Sequence, residues 1–224
     1  MNPHLTEIAY ILDRSGSMQP MQEPAVAAFN SFVKTQLEVP GEARLTLVQF
    51  DDAYEVPVST RPLPEVPELT AATFVPRGST ALLDAIGRTI KDTDQRLQAL
   101  PAEEQPGKVI LVIFTDGMEN ASQTYSARHI SDLIRLYRDE KGWEFLFLAA
   151  NQDAIASAAA MNVDAHTSSN VTFSAKGVTS TGSALSRKVR SLRMKTSGQM
   201  DAQAEEDDAK PMGQIMREEE EKPD

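Results

Sequence analysis

Ile8-Ala9-Tyr10-Ile11-Leu12-Asp13-Arg14-Ser15-Gly16-Ser17-Met18 is the stretch from which the rest of the chain is best read. Its first five residues are mostly apolar and rich in branched or aromatic side chains, which predicts a strand buried on both faces of a sheet. The chain then turns abruptly polar. Asp13, Ser15 and Ser17 alternate, so an extended loop can point all three side chains the same way, and Gly16 lets the backbone turn tightly between them.

Working outward, similar runs recur at Leu45–Phe50, Val109–Phe114 and Glu144–Leu148. Helical patterns lie between them. Pro24–Gln36 places Val26, Phe29, Asn30 and Val33 along one side, and Ala81–Leu100 carries Leu82, Leu83, Ile86, Ile90 and Leu97. Ala127–Glu140 carries Ile130, Leu133, Ile134 and Tyr137, and Asp153–Met161 is short and alanine-rich. Strand alternating with helix predicts an α/β, doubly wound, Rossmann-like architecture: a mostly parallel sheet with helices on both faces. One connection departs from the pattern. Phe50-Asp51-Asp52-Ala53-Tyr54 leaves no room for a helix, so 45–50 and 54–59 should form a hairpin. Pro57, Pro62, Pro64 and Pro67 suit an antiparallel edge strand there.

Open α/β sheets bind ligands beyond the carboxyl ends of their strands. Four oxygen-rich segments fall there: Asp13–Met18, Arg77–Thr80, Thr115–Asn120 and Ala149–Asp153. They supply two carboxylates, Asp13 and Asp116, and three hydroxyls, Ser15, Ser17 and Thr80. Such an all-oxygen set suits a hard divalent cation, and magnesium usually keeps waters beside few carboxylates. The competing reading is that Asp13 and Ser15 merely cap a helix. Asp116 and Thr80, each at a strand-to-helix position, weigh against it.

Three motifs, Asp13-Arg14-Ser15-Gly16-Ser17, Gly78-Ser79-Thr80-Ala81-Leu82-Leu83-Asp84-Ala85-Ile86 and Phe114-Thr115-Asp116-Gly117, resemble the metal-ion-dependent adhesion site of von Willebrand factor A (vWA) domains. The resemblance covers roughly residues 5–165, with the motifs in the family's order and spacing and every metal-site position filled. It is to the small bacterial or phage cytoplasmic type. It implies a six-stranded sheet with one antiparallel edge strand. It also implies Mg²⁺, with Mn²⁺ as the alternative ion, held by Ser15 and Ser17, with Asp13, Thr80 and Asp116 binding directly or through water. An open position on the metal would take a Glu or Asp carboxylate from a protein partner. The expected function is therefore a Mg²⁺-dependent protein–protein interaction module and not an enzyme.

The alternative is a metal-dependent hydrolase or phosphoryl-transfer enzyme using the same site. Against it, the chain has no phosphate loop, no Asp-x-Asp pair after the first strand and no G-x-S-x-G elbow around Ser15. His4, His129 and His166 are scattered. Around the metal, Met18, Met118, Glu119, Asn120, Asn151 and Gln152 are expected on the partner-binding rim. For Met18 and Met118, packing beneath the loops is the leading reading. Asp84 should support its loop, Asp51 and Asp52 should form a turn, and Trp143 should be core.

Composition bounds the remaining choices. The chain has 224 residues, a formal charge of −11 and no cysteine, which excludes disulfide scaffolds, thiolate metal sites and a cysteine nucleophile. Residues 1–173 carry −10, 174–200 carry +6 and 201–224 carry −7. The expected organisation is a vWA domain over 1–173, a basic connector over 174–200 and an acidic disordered tail over 201–224. Leu185, Val189 and Leu192 predict a short helix in the connector, packed back on the domain. A basic arm for an acidic partner, or for the chain's own acidic tail, is the other reading. The acidic balance argues against nucleic acid. The N-terminal stretch lacks the features of a signal peptide, and no apolar run is long enough to span a bilayer, so a cytoplasmic protein without membrane contact is expected.

Overall fold

The central strand of the sheet, β1 (Asn2–Asp13), alternates two buried faces. Ile8, Tyr10 and Leu12 point into one apolar layer, and Ala9 and Ile11 into the other. This computed structural model describes residues 1–116, 118–149, 156, 158–164, 166–172 and 174–222. The remaining strands are β2 (Glu42–Phe50), β3 (Tyr54–Pro62), β4 (Pro106–Thr115), β5 (Glu144–Ala149) and β6 (Ser168–Asn170). They form a six-stranded sheet in the order β3-β2-β1-β4-β5-β6. Every pairing is parallel except β2 with β3, which makes β3 the antiparallel edge.

Helices cover both faces. α1 (Gln22–Leu37) follows a 3₁₀ turn at Gly16–Met21 and packs Phe29 and Phe32 onto the Tyr10 side, where Phe29 meets the tyrosine ring edge-on at 5.2 Å. α2 (Leu82–Gln98) and α3 (Ala127–Lys141) bury Ile86, Ile90, Ile130 and Ile134 on the opposite side, with Trp143 in the same layer. Of the short helix expected at 153–161, residues 156 and 158–160 are helical, and 153–155 and 157 lie outside the described residues.

The chain winds from β1 to β2 and then returns to β4 on the other side of β1. The loops leaving β1 and β4 therefore diverge around a crevice, the place where open α/β sheets hold ligands. Leu12 pairs with Phe114, so Asp13 and Thr115-Asp116 emerge side by side.

Beyond residue 173 the structure departs from the expected layout. Residues 174–200 form a long helix, α4 (Ala175–Ser197), whose Val178, Leu185, Val189 and Leu192 are buried in the α1 layer. The acidic stretch is ordered as α5 (Ala202–Ala209) and α6 (Met212–Glu220), not as a disordered tail. Two features of the sequence explain the difference. Met212, Ile215 and Met216 make a small apolar stripe at helical spacing that enters the core. The acidic side chains are matched by the basic ones of α4. Arg187 contacts Asp207, Glu218 and Glu219 at 2.5, 2.9 and 2.8 Å, Lys195 contacts Asp208 at 2.8 Å, and Arg190 pairs with Asp201. Two buried cations of α4 close helix ends. Lys188 Nζ donates to the carbonyls of Asp207, Asp208 and Lys210, and Arg193 donates to those of Gln36 and Gly41. No described helix is long and apolar enough to cross a membrane.

Candidate metal centre

The loop after β1 is folded by its own side chains. Asp13 Oδ1 accepts the Ser15 N–H at 2.7 Å, an Asx-type turn, and Asp13 Oδ2 accepts the Thr115 hydroxyl of β4 at 2.6 Å. Both oxygens of this fully buried carboxylate are thus aimed by neutral donors. Ser15 precedes the 3₁₀ turn but makes no side-chain cap bond. Its Oγ lies 3.0 Å from Ser17 Oγ instead, and Ser17 Oγ donates to Asp116 Oδ1 at 2.9 Å. The capping reading of Ser15 therefore gives way to a chain of oxygens, Ser15–Ser17–Asp116, linking the β1 and β4 loops.

Thr80 is buried and strapped to the segment after Asp116. Its N–H donates to Asn120 Oδ1 at 2.9 Å, and its carbonyl accepts the N–H groups of Asn120 and Ala121 at 3.0 and 3.2 Å. The third loop is also zipped to the first: Arg77 N–H donates to the Arg14 carbonyl at 2.8 Å and Gly16 N–H to the Gly78 carbonyl at 3.2 Å. Gly78 has φ +67°, and a Cβ there would stand 2.0 Å from Asp52 Oδ1, so of the two loop glycines it carries the stricter requirement. Burial pushes the Asp13 carboxyl up to about 6, against the bonds from Thr115 and Ser15, and Asp116 adds repulsion. Burial likewise raises Asp116, against the Ser17 hydrogen bond.

Behind the loops sits a charged brace not singled out from the sequence. Asp51, buried at the β2–β3 turn, accepts Arg14 Nε at 3.0 Å and Arg77 Nε at 2.9 Å, and its carbonyl accepts the Ala81 N–H at 2.9 Å. Glu55 takes the other ends of both guanidiniums, at 2.7 and 2.8 Å. Arg14 above all, with Arg77, holds the Glu55 carboxyl down near 2. Asp51 does form the expected turn, through a 2.6 Å bond to the Ala53 N–H. The signal for its wider role was an arginine inside each of two motif loops, Arg14 and Arg77, facing an acidic turn.

The rim residues divide. Met18 is fully buried in the core, as packing beneath the loop requires, which corrects its placement on the rim, whereas Met118 is exposed and does not pack beneath its loop. Large apolar side chains under a tight turn fill the layer below it. Glu119 faces inward: its carboxylate accepts the N–H groups of Leu83, Ala121 and Ser122 at 2.9, 3.0 and 2.7 Å. Asn120 is exposed although its Oδ1 holds Thr80. Asn151 and Gln152 lie outside the described residues. Asp84 accepts the N–H groups of Gln123, Thr124 and Tyr125 at 2.9, 2.9 and 2.8 Å, so it supports the loop. Among the described residues no group of three or more His, Cys, Asp or Glu side chains is arranged to hold a metal; the oxygens here come from two carboxylates and from hydroxyls.

The sequence matches no protein-family model and no curated protein. Solved structures do match the fold. The pilus adhesin SpaC of Lactobacillus rhamnosus GG, in an open conformation, superposes with a TM-score of 0.59 at 11% identity, over 86% of this chain and 30% of that one. A von Willebrand factor type A protein from Catenulispora acidiphila gives 0.51 at 16% identity, over 86% and 42%. The manganese-loaded TRAP protein of Plasmodium vivax gives 0.51 at 11% identity, over 76% and 69%. The chain thus spans about two fifths of the Catenulispora structure's length. Together with the sheet order, these likenesses define the architecture as a vWA-type α/β fold.

Proposed function

We propose that Asp13, Ser15, Ser17, Thr80 and Asp116 bind Mg²⁺, with Mn²⁺ as a substitute, and that the ion carries a carboxylate of a protein partner. The supporting observation is the hydrogen-bonded run of oxygens from Ser15 through Ser17 to Asp116, with Asp13 fixed beside it by Ser15 and Thr115. The donor set is all oxygen, which suits a hard divalent ion. Two carboxylates and neutral hydroxyls would leave the metal electrophilic, and its chemistry there is that of a Lewis acid toward an incoming carboxylate. The chain's own residues do the rest. Thr115 and Ser15 orient Asp13, the Arg14–Asp51–Arg77 brace sets the loops, and Asn120 ties Thr80 to the β4 loop. A fold-level likeness to vWA-type structures, one of them manganese-loaded, favours an interaction module over an enzyme.

Affinity capture with mass spectrometry tests this, comparing the intact protein in Mg²⁺, in EDTA and as Asp13→Ala. The same partner should be lost in both controls. Capture indifferent to EDTA and to Asp13→Ala sinks the metal bridge, and Mg²⁺-dependent ester or phosphate turnover abolished by Asp116→Ala would install the enzymatic alternative.

A further inference from the structure

Beside the candidate metal centre runs a groove of about 780 Å³ along the first turns of α2. That is the size of a ligand-binding cleft. Its floor is Ala81, Ala85 and Arg88, spaced so that they share one helix face, with small side chains nearest the metal loops. One wall is the β2–β3 turn, with Tyr54, and the other is the loop 120–125, ending in Tyr125. The groove opens at Ala81 and Asn120, the neighbours of Thr80 in sequence and in hydrogen bonding. Its loop wall is preformed. Five successive backbone N–H groups, 121 through 125, are held by the carboxylates of Glu119 and Asp84. Asp84 stays below the usual carboxylate range: desolvation pushes it up, but these donors outweigh it. Neutral donors thus fix both carboxylates in the wall without cancelling their charge, and Asp84 lines the groove.

Among the lining residues the ionic side chains are Asp52, Asp84 and a single cation, Arg88. Asp52 stands near Gly78, at the metal end. Arg88 stands at the far end, exposed, with its guanidinium 4.2 Å above the Tyr54 ring and 3.5 Å from Asp92. An exposed pair of that kind, one helical turn apart, is weak and exchanges readily for a better acid.

We infer that this groove receives the partner segment whose carboxylate binds the metal, and that the segment carries a second acidic side chain seated on Arg88. The inference rests on the metal-bridge reading and specifies its partner. The metal takes the first acid at the near end, and Arg88, the cation among the groove's lining residues, attracts the second at the far end. The helix rises ~1.5 Å per residue, so Thr80 to Arg88 spans roughly 12 Å. An extended chain covers ~3.3 Å per residue, which sets the two acids roughly four residues apart.

Panning a random peptide display library on the intact protein in Mg²⁺, then measuring selected synthetic peptides by fluorescence anisotropy, tests this. Selected peptides should carry two acids at that spacing. Arg88→Glu should weaken them on the order of tenfold, since it replaces attraction by repulsion. Replacing the peptide's distal acid by lysine should restore binding to Arg88→Glu. Peptides that need Mg²⁺ and Asp13 but ignore Arg88→Glu overturn the groove and leave the metal bridge standing. Peptides that need Arg88 and the paired acids but ignore EDTA and Asp13→Ala support the groove and overturn the bridge. A library that yields no paired-acid binder overturns the groove.

Discussion

Acidic side chains gather at both ends of this molecule's logic, the rim above β1 and β4 and the clasp of α5 and α6 on α4, and they are handled in opposite ways. In the clasp, Asp207, Glu218 and Glu219 surround a single guanidinium, that of Arg187. On the rim, Asp13 is aimed by a backbone N–H and a threonine hydroxyl, both neutral. The clasp carries its counter-charge within the fold. The rim orients its carboxylate without neutralising it, the arrangement expected where the cation comes from outside. Asp51 and Glu55, just behind the rim, follow the clasp's rule through Arg14 and Arg77, whereas Asp13, Asp84 and Glu119 are held by neutral donors.

The comparison breaks most sharply at Arg187. Arg187→Ala leaves the buried Asp207 without its cation and Glu219 with Lys222 alone, and should cost about 3–5 kcal/mol in urea unfolding; a loss near zero would mean that the clasp is ornamental. Glu7 offers an intermediate case. It is buried in β1, with Oε1 2.6 Å from Arg96 and Oε2 unmatched, and burial pushes its carboxyl up to about 7 despite Arg96 and Arg44. The folded state therefore holds this proton more tightly than the unfolded chain. The stability it contributes is full below pH ~4.5 and is lost as pH rises through about 7, by up to about 3 kcal/mol. Glu7→Gln should flatten that decline in a pH series of melts. On the rim, Mg²⁺ at a hundredfold excess over its dissociation constant should stabilise the protein by about 2.7 kcal/mol, and Asp116→Asn should abolish the effect. An equal Mg²⁺ effect in the variant would place the ion elsewhere. The smallest change is expected for Gly78→Ala, about 1–2 kcal/mol from its left-handed backbone, with Asp52 having to move. An unaltered melting curve would show that the loop is free to adopt another conformation.

The strands at 8–12, 45–50, 109–114 and 144–148 were legible because burial on both faces leaves unbroken apolar runs. The three loops of the candidate site were legible as loops because each directly follows a strand or precedes a helix in an alternating pattern. β6 was not, since Ser168-Ser169-Asn170 pairs through its backbone alone and carries no apolar signature. The clasp was hidden for a different reason. Its helices owe their order to the core contact of Met212, Ile215 and Met216 and to charges on α4 20 to 32 residues earlier, and local acidity by itself reads as disorder. The inward turn of Glu119 was equally invisible, because its partner Leu83 is brought to it only by the meeting of two segments 36 residues apart.

α4 also sets where the chain can be cut. Its Val178, Leu185 and Val189 share an apolar layer with Tyr10, Ile110 and Val112 of the sheet. A fragment stopped at 173, keeping every residue of the candidate metal centre, would bare that layer to water as one contiguous sticky face. Such a fragment should aggregate rather than bind. Any expression design that treats the motifs as the whole domain would therefore measure self-association in place of recognition.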